Sequence, residues 1–449
     1  MKEPTFLIGF DKFFEVAGKS DQSYYIHNYL KSKLEPKSIF IEENYIDKDY
    51  LIDFSKFYAR SFNIDKKFTT RLHFFNESIE NKEFYEGLKN FNKDFHDKLK
   101  KAYLGFTVIK PIMDRENQPF IGRTLLRTWP RDDNGELREY LTNTFHVSLY
   151  GIDLSIDSLP FQSQDEAVGG CATTACWTAL YPLSKQFETP KLSPVEVTET
   201  SISFPTLERN FPSKGLTLHQ MKSQFNALGL ETEFINVEKI QTNRKDVSID
   251  DFIGNAIKAY LDYGIPIIGA LKLKKEGRPD PEKHAVVISG YRHRDGKITE
   301  LYIHDDAIGP YCKTKLKESI CNWENEWITE KKYSEINLQM LLIPIYHKMR
   351  LSYIKIYRVF LRNQRMIEER KKEREMKDEY SHELKLVKLN DYKRFLLDKQ
   401  FNKKKDFLCK NYPRFIWIHR IKSNGQLYID KLYDGTSVYP SEIGVIDYN

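Results

Sequence analysis

Residue types that support thiol chemistry occur in order along the chain. Cys171 follows two glycines and opens a run of small and apolar residues, which predicts a buried helix. Free N–H groups and the dipole at a helix N-terminus lower the pKa of a thiol and so raise its thiolate fraction. His284 begins an apolar strand-like run, and Asp305 and Asp306 follow the next one. A thiolate, an imidazole and a carboxylate that orients it are the parts of a cysteine acyl-transfer site.

The fourth requirement is a hydrogen-bond donor for the oxyanion. Gln164 lies seven residues before Cys171 on the approaching loop, and its side-chain amide is the predicted donor, with Gln162 as the next candidate. The strands that carry His284 and the two aspartates are expected to pair as a hairpin. Because side chains alternate along a regular strand, only one of the two adjacent carboxylates is expected to face the imidazole.

The cysteines themselves form no disulfide pattern. Five are present, without a CxxC pair, so reduced thiols are expected. Cys176 precedes Trp177 and is the alternative nucleophile. It lies a turn and a half inside the predicted helix, where the field of the N-terminus has faded. Cys171 is therefore the predicted nucleophile.

Metal and cofactor motifs are missing from the sequence. His293 and His304 lie near Asp305 and Asp306, yet no HExxH or CxxC spacing accompanies them. No Walker loop is present, and no GxGxxG follows a strand-like run. The sequence therefore predicts neither a metal nor a cofactor.

The segments around these residues predict an α+β fold. Thr217 caps a helix that Gly229 ends, and Ser248 with Asp251 resembles a capping box at the start of a second helix. Three strand-like runs follow: Pro266–Lys272, His284–Tyr291 and Lys297–His304. Helices followed by an antiparallel sheet are thus expected in the centre of the chain.

The two flanks differ from the centre in pattern. The first combines helix-like segments, such as Glu83–Tyr103, with β-branched strand-like runs. The last opens with a long helix whose continuation, Met366–Glu379, is almost entirely charged, which is typical of a solvated face. An Asn424-Gly425 pair between apolar runs predicts a hairpin. The predicted regions are an amino-terminal α+β region (1–157), a central domain (158–346) and a carboxy-terminal helical arm with a β-hairpin (347–449).

The central motif resembles a known family. Its parts are Gln164, Cys171 at a helix start, the run His284–Tyr291 and a strand that ends in Asp305. This order is similar to that of papain-like cysteine peptidases, especially the bacterial branch that processes bacteriocin leaders at double-glycine sites, and it covers about residues 158–345. The resemblance implies a papain-like domain with Cys171 as nucleophile and His284 as general base and acid. It also implies Asp305 as the orienting residue and Gln164 in the oxyanion hole, although the family's typical Asp-Pro is Asp-Asp here.

Composition excludes several other classes of protein. Seventy Lys and Arg against 64 Asp and Glu leave a net charge of only +6 over 449 residues, which argues against a nucleic-acid binder. No run approaches the roughly 18 apolar residues of a membrane span, and residues 1–16 do not have the pattern of a signal peptide. The sequence therefore predicts a cytoplasmic protein without nucleic-acid or membrane partners.

The leading hypothesis is a cysteine peptidase that cleaves peptide bonds in a protein substrate through a Cys-His-Asp triad and a thioester. One alternative keeps the chemistry and changes the substrate, as in an amide hydrolase or a transglutaminase-like acyltransferase on a non-peptide substrate. The other is a catalytically silent papain-like scaffold, with the charged carboxy-terminal helix as a protein-partner surface. A cysteine far more reactive than the others is required by the enzyme hypotheses and not by the scaffold.

Overall fold

The computed structural model describes residues 7–60, 66–90, 92–133, 136–165, 167–205, 215–243, 247–375 and 377–448. Both helices and strands run throughout these residues, and the strand pairings are antiparallel, which confirms the α+β class. The described strands form four sheets.

The amino-terminal region contains a five-stranded sheet with the order β1-β2-β3-β4-β5. Its strands and helices are β1 (Leu7–Gly9), α1 (Phe13–Ala17), α2 (Asp21–Lys33), β2 (Ser38–Tyr45), α3 (Lys48–Lys56), β3 (Thr69–Phe75), α4 (Asn81–Lys89), α5 (Lys93–Ala102), β4 (Tyr103–Met113) and β5 (Pro119–Leu126). The helical pattern across residues 83–103 is divided between α4 and α5, because Asn92 caps a new helix by accepting the N–H of Phe95.

The last four strands of the amino-terminal region come next, and the helices and strands of the central region follow them. They are β6 (Asp132–Asp133), β7 (Glu136–Tyr140), β8 (Asn143–Leu149), β9 (Ile152–Ser158), α6 (Cys171–Phe187), α7 (Pro194–Ser201), α8 (Leu218–Ala227), β10 (Leu230–Asn236), α9 (Val237–Asn243), α10 (Ile249–Tyr263), β11 (Ile267–Lys274), β12 (Glu282–Arg294), β13 (Lys297–Asp305), β14 (Gly309–Leu316), β15 (Asn322–Glu324), α11 (Glu326–Thr329) and β16 (Glu335–Tyr346). The predicted caps are confirmed: Thr217 and Ser248 accept N–H groups of α8 and α10, and Gly264 ends α10 in the left-handed conformation.

The large central sheet closes on itself. Its strands run in the order β10-β16-β15-β14-β13-β12-β7-β6, and β11 pairs with both β12 and β16. Strands β11 to β16 therefore form a closed ring of six, which removes free edges. Strand β7 extends the sheet beyond β12, so the amino-terminal part of the chain contributes directly to it.

Helix α6 lies in the main core, against β12. Residues Ala172–Leu183 of this helix are all buried. Two polar groups of this helix find hydrogen-bond partners in the amino-terminal region. The Trp177 indole and the Tyr181 hydroxyl both donate to Asp49 Oδ2 on α3, at 3.1 and 2.9 Å. The middle of α6 is therefore in contact with both β12 and α3.

The carboxy-terminal region is a folded unit rather than only an arm with a hairpin. It contains α12 (Tyr353–Glu373), β17 (Tyr380–Lys388), α13 (Leu389–Leu396), α14 (Lys404–Cys409), β18 (Phe415–Ser423), β19 (Gln426–Asp434) and β20 (Glu442–Asp447). The predicted hairpin is confirmed as β18 and β19, with positive φ at Asn424 and Gly425. It is the centre of a four-stranded sheet. The charged helix ends at Glu373, so the prediction of helix up to Glu379 is wrong.

Candidate active site

Cys171 is the first residue of α6, as the sequence predicts. Gly170 precedes it in extended conformation and offers no side-chain cap, so the first N–H groups of the helix stay available at the thiol. Cys171 is half-buried, whereas Cys176 is completely buried, and burial raises the pKa of its thiol well above the ordinary value. Of these two thiols, Cys171 has the better surroundings for a nucleophile.

The loop before Cys171 is shaped by a residue that sequence reasoning missed. Asp165 Oδ1 accepts the N–H groups of Ala167, Val168 and Gly169 at 3.0 to 3.1 Å. Its other oxygen accepts the Tyr58 hydroxyl at 2.8 Å. An Asp whose side chain binds backbone N–H groups two to four residues on makes a tight turn, and this turn presents the glycines to the start of α6. The Asp six residues before Cys171 was the available signal.

His284 lies on β12 and faces Asp305. Its Nε2 is 2.9 Å from Asp305 Oδ1, and Cys171 is near enough to contribute to the raised pKa of the imidazole. Because Nε2 is used by the carboxylate, Nδ1 is the nitrogen left for the thiol. The Trp327 ring lies edge-on to the imidazole, with centroids 5.1 Å apart. Cys171, His284 and Asp305 thus lie close together, and a hydrogen bond joins the histidine to the aspartate.

Asp305 is fully buried and has every oxygen occupied. Oδ1 accepts His284 and the N–H of Ala307, and Oδ2 accepts the Trp327 indole at 2.6 Å. Burial alone raises the pKa of this carboxyl, but the charge and hydrogen bond of His284 and the two neutral donors outweigh it and lower the pKa. Burial likewise lowers the pKa of His284, but Asp305 reverses this and raises it well above the ordinary value. The pair therefore favours a charged imidazolium beside an ionised carboxylate.

Asp306 also approaches the imidazole, so the expectation that one carboxylate points away is wrong. Asp306 Oδ1 lies 3.8 Å from His284 Nε2. The physical reason is that β13 ends at Asp305 and Asp306 lies in the turn before β14, where the alternation of a regular strand no longer holds. Neither oxygen of Asp306 has a hydrogen-bond partner among the described residues. Burial is the largest cause that raises the pKa of Asp306 to about 7.

A small cavity lies behind the thiol. Its lining includes Cys171, Thr174, Thr178, His304 and Asp306. Both ring nitrogens of His304 lack a partner among the described residues, and burial lowers the pKa of this imidazole to about 3. His304 is therefore a neutral buried side chain and has no hydrogen bond to His284 or Asp305.

The predicted oxyanion donor has a competitor. Gln164 is half-buried on the loop before Cys171. Gln162 is buried, and its amide Nε2 has no hydrogen-bond partner among the described residues. A buried unpaired donor is costly unless a ligand completes it. Both glutamines therefore remain candidates for this role.

The side chains of His284, Asp305 and Asp306 are close enough together to bind one metal ion. Ligand atoms of His284, Asp305 and Asp306 lie within 4.8 Å of one another. The hydrogen bond between His284 and Asp305 uses the nitrogen that such an ion would take. The prediction of a site without metal or cofactor stays a prediction.

Known proteins that are similar to this chain are found among the solved structures. No family model matches the chain, and neither does a curated protein. One of the solved structures that match is the peptidase domain of Streptococcus ComA, described as a bifunctional ABC transporter involved in a quorum-sensing pathway. The identity is 13%, the TM-score is 0.21, and the match covers 40% of this chain and 96% of that one. No described helix is long and apolar enough to cross a membrane.

Proposed function

We propose that this protein is a cysteine peptidase that hydrolyses peptide bonds in a protein or peptide substrate. The observation that carries the proposal is the hydrogen bond from His284 to Asp305 beside Cys171, which lies at the start of α6. In papain-like sites this arrangement holds a thiolate beside an imidazolium, and Asp305 is the only acid hydrogen-bonded to His284 among the described residues. The proposed roles are nucleophile for Cys171, general acid and base for His284, and orienting carboxylate for Asp305.

The chemistry proceeds in two steps. The Cys171 thiolate attacks the scissile carbonyl carbon, and the oxyanion receives hydrogen bonds from the N–H groups at the start of α6 and from a glutamine amide. His284 then gives its proton to the leaving amine, which leaves a thioester on Cys171. In the second step His284 takes a proton from water, the resulting hydroxide attacks the thioester, and the thiol is regenerated.

The first experiment measures the reactivity of the thiols. Alkylation of Cys171 by iodoacetamide is expected to continue at pH values well below about 8.5, the pKa of a free thiol, because His284 supplies a positive charge. Cys409, which is exposed, is the internal control. Equal pH profiles at the two cysteines would contradict the proposal and favour a silent scaffold.

The second experiment looks for the substrate class. New protein amino termini in cells that produce the active protein are compared with those in cells that produce Cys171→Ala, with Cys409→Ala as the matched control. We expect cleavages that disappear with Cys171→Ala and persist with Cys409→Ala. Thiol reactivity without any new terminus would point to a non-peptide amide or to acyl transfer.

The oxyanion donor is tested by separate variants of the two glutamines. Gln164→Ala is predicted to lower turnover about ten- to a thousandfold with little change in substrate affinity, as removal of one oxyanion donor does. Single-turnover kinetics on Gln164→Ala and Gln162→Ala measure this. A loss confined to Gln162→Ala would assign the role to Gln162.

A further inference from the structure

Helix α2 of the amino-terminal region touches the turn that follows Asp305. Gln22 Nε2 donates to the backbone carbonyl of Asp306 at 3.1 Å, although the two residues are 284 positions apart. The same turn is closed internally by the bond from Ile308 N–H to Asp305 O. Gln22 therefore holds the outer side of the segment that carries both carboxylates.

Tyr25, one turn further along α2, packs against Gly309, the first residue of β14 after the same turn. A Cβ placed on Gly309 would lie 2.1 Å from Tyr25 Cδ1, closer than any real contact. The Tyr25 hydroxyl also donates to the carbonyl of Tyr311 on β14. Close contact between α2 and the start of β14 thus requires glycine at this position.

A third contact reaches Asp305 from its other side. Asp21 on α2 forms an ion pair with Lys331 at 2.7 Å. Lys331 Nζ lies over the Trp327 ring, 5.5 Å from its centroid, and the Trp327 indole donates to Asp305 Oδ2. Contacts that begin on α2 therefore reach both sides of the aspartate turn.

Helix α2 is itself firmly held. Ile26 and Leu30 are completely buried in the main core. Tyr29 donates to the carbonyl of Arg127 at 2.9 Å and stacks on Trp129 with centroids 5.0 Å apart. The helix has little freedom to move away from the turn that follows Asp305, so its contacts hold that turn in one position.

We propose that α2 is a positioning element of the active site, which acts through Gln22 and Tyr25 on the turn that carries Asp305. The inference rests on the proposed function, because the position of Asp305 matters through His284 and Cys171. A carboxylate displaced from the imidazole stabilises its positive charge less, and the thiolate beside it is then less favoured. The amino-terminal region would thus be required for the chemistry and not only for the stability of the central domain.

The test measures the pH profile of Cys171 alkylation by iodoacetamide in the full chain. Gln22→Ala is expected to slow alkylation at pH 7 by about three- to tenfold and to shift the profile toward higher pH, as partial loss of a nearby opposite charge does. Gly309→Ala, which forces Tyr25 away, is expected to slow it by about tenfold or more. Both profiles are compared at equal folded fraction, measured by near-UV circular dichroism.

A compensating variant separates positioning from damage to the fold. In the double variant Tyr25→Ala/Gly309→Ala the clash is removed, and part of the lost reactivity is expected to return. Lys31→Ala, an exposed position on the same helix, and Gly254→Ala, where an added Cβ meets nothing closer than 3.7 Å, are the controls and should keep the wild-type profile.

The outcomes distinguish the inference from the proposed function. If wild-type Cys171 is no more reactive than Cys409, the proposed function fails. If wild-type Cys171 is highly reactive and the folded Gln22→Ala and Gly309→Ala variants keep its pH profile, the function stands and the positioning role of α2 is overturned. Recovery in the double variant supports the role, because a generally damaged fold would not regain reactivity from a second substitution.

Discussion

Among the described residues, the buried histidines His73 and His284 each contact a carboxylate, and their pKa values shift in opposite directions. In the active site, His284 Nε2 lies 2.9 Å from Asp305, and the pKa of the imidazole is raised. In the amino-terminal sheet, His73 Nε2 lies 3.3 Å from Glu42 Oε2, yet burial lowers the pKa of His73 to about 4 despite that contact. A buried acid beside a buried imidazole is therefore not enough to create a charged histidine.

The difference comes from competition for the carboxylate. Arg71 Nε lies 2.6 Å from the same Glu42 oxygen that His73 contacts, and a guanidinium is always charged. Its positive charge further lowers the pKa of His73. The other ring nitrogen of neutral His73, Nδ1, forms a hydrogen bond with the Tyr103 hydroxyl at 3.0 Å.

Asp305 has no such competitor. Among the described residues, its only charged partner is His284, and its other donors are the Trp327 indole and the Ala307 N–H, which are neutral. The carboxylate is thus stabilised without being neutralised, and its charge remains for the imidazolium. A carboxylate held by neutral donors, rather than by arginine, thus favours a charged imidazole at His284, whereas the imidazole of His73 stays neutral.

The largest difference between the two histidine–carboxylate pairs is expected when the acid of each pair is removed and the single-turnover rate is measured. Asp305→Asn is expected to lower the single-turnover rate by about ten-thousandfold, as loss of a triad aspartate does. Glu42→Gln removes the matching acid in the amino-terminal sheet and should leave the rate nearly unchanged in folded protein. A small effect of Asp305→Asn would mean that Cys171 and His284 work as a dyad.

Removing a neutral donor should give an intermediate effect. Trp327→Phe keeps a ring beside His284 but loses the N–H that Asp305 Oδ2 accepts. A hydrogen bond to a charged group contributes about 1.5 to 3 kcal/mol. Turnover should therefore fall about ten- to a hundredfold, and the low-pH side of the pH profile of turnover should shift. The matched control is Trp323→Phe, whose buried indole donates to the carbonyl of Ile320 instead. Equal losses in both variants would indicate a packing effect.

Removing the competing cation, Arg71, should make the ionisation of His73 more like that of His284. Arg71→Gln leaves Glu42 for His73 alone, so the pKa of His73 is expected to rise by about one unit or more. NMR titration of the histidine ring signals measures this, with His284 as the reference that stays constant. If His73 still titrates near its wild-type pH, burial rather than Arg71 controls its charge.

Sequence reasoning reached the parts of the site that local pattern specifies. Two glycines before Cys171 and an apolar run after it predict the helix start, and strand ends predict the places of His284 and Asp305. The approach of Asp306 to the imidazole was missed, because the residue at which β13 ends and the turn to β14 begins is set by the pairing of the two strands. The role of Trp327 and the support from α2 depend on contacts between segments far apart in sequence, which a local pattern does not contain.

The smallest effect on rate and the clearest effect on stability are expected at Asp306, the second acid beside His284. Its side chain is buried without a hydrogen-bond partner among the described residues, and burial, followed by the repulsion of Asp305, outweighs the attraction of His284 and Lys331 and raises its pKa to about 7. An acid whose pKa is higher in the folded than in the unfolded protein stabilises the fold while protonated. That contribution is complete below about pH 4, where the unfolded carboxyl also binds a proton, and is lost as the pH rises to about 7.

Asp306→Asn replaces the protonated acid by a neutral side chain of similar shape and does not lose this contribution. The free energy of unfolding of the variant minus that of the wild type should therefore increase between pH 4 and pH 7 and stay constant above it. Urea unfolding at several pH values measures this difference, which cancels the titration of groups common to both proteins, such as His304. A difference that does not change with pH would mean that Asp306 is already ionised at pH 4, and His284 would then stand between two charged carboxylates rather than one.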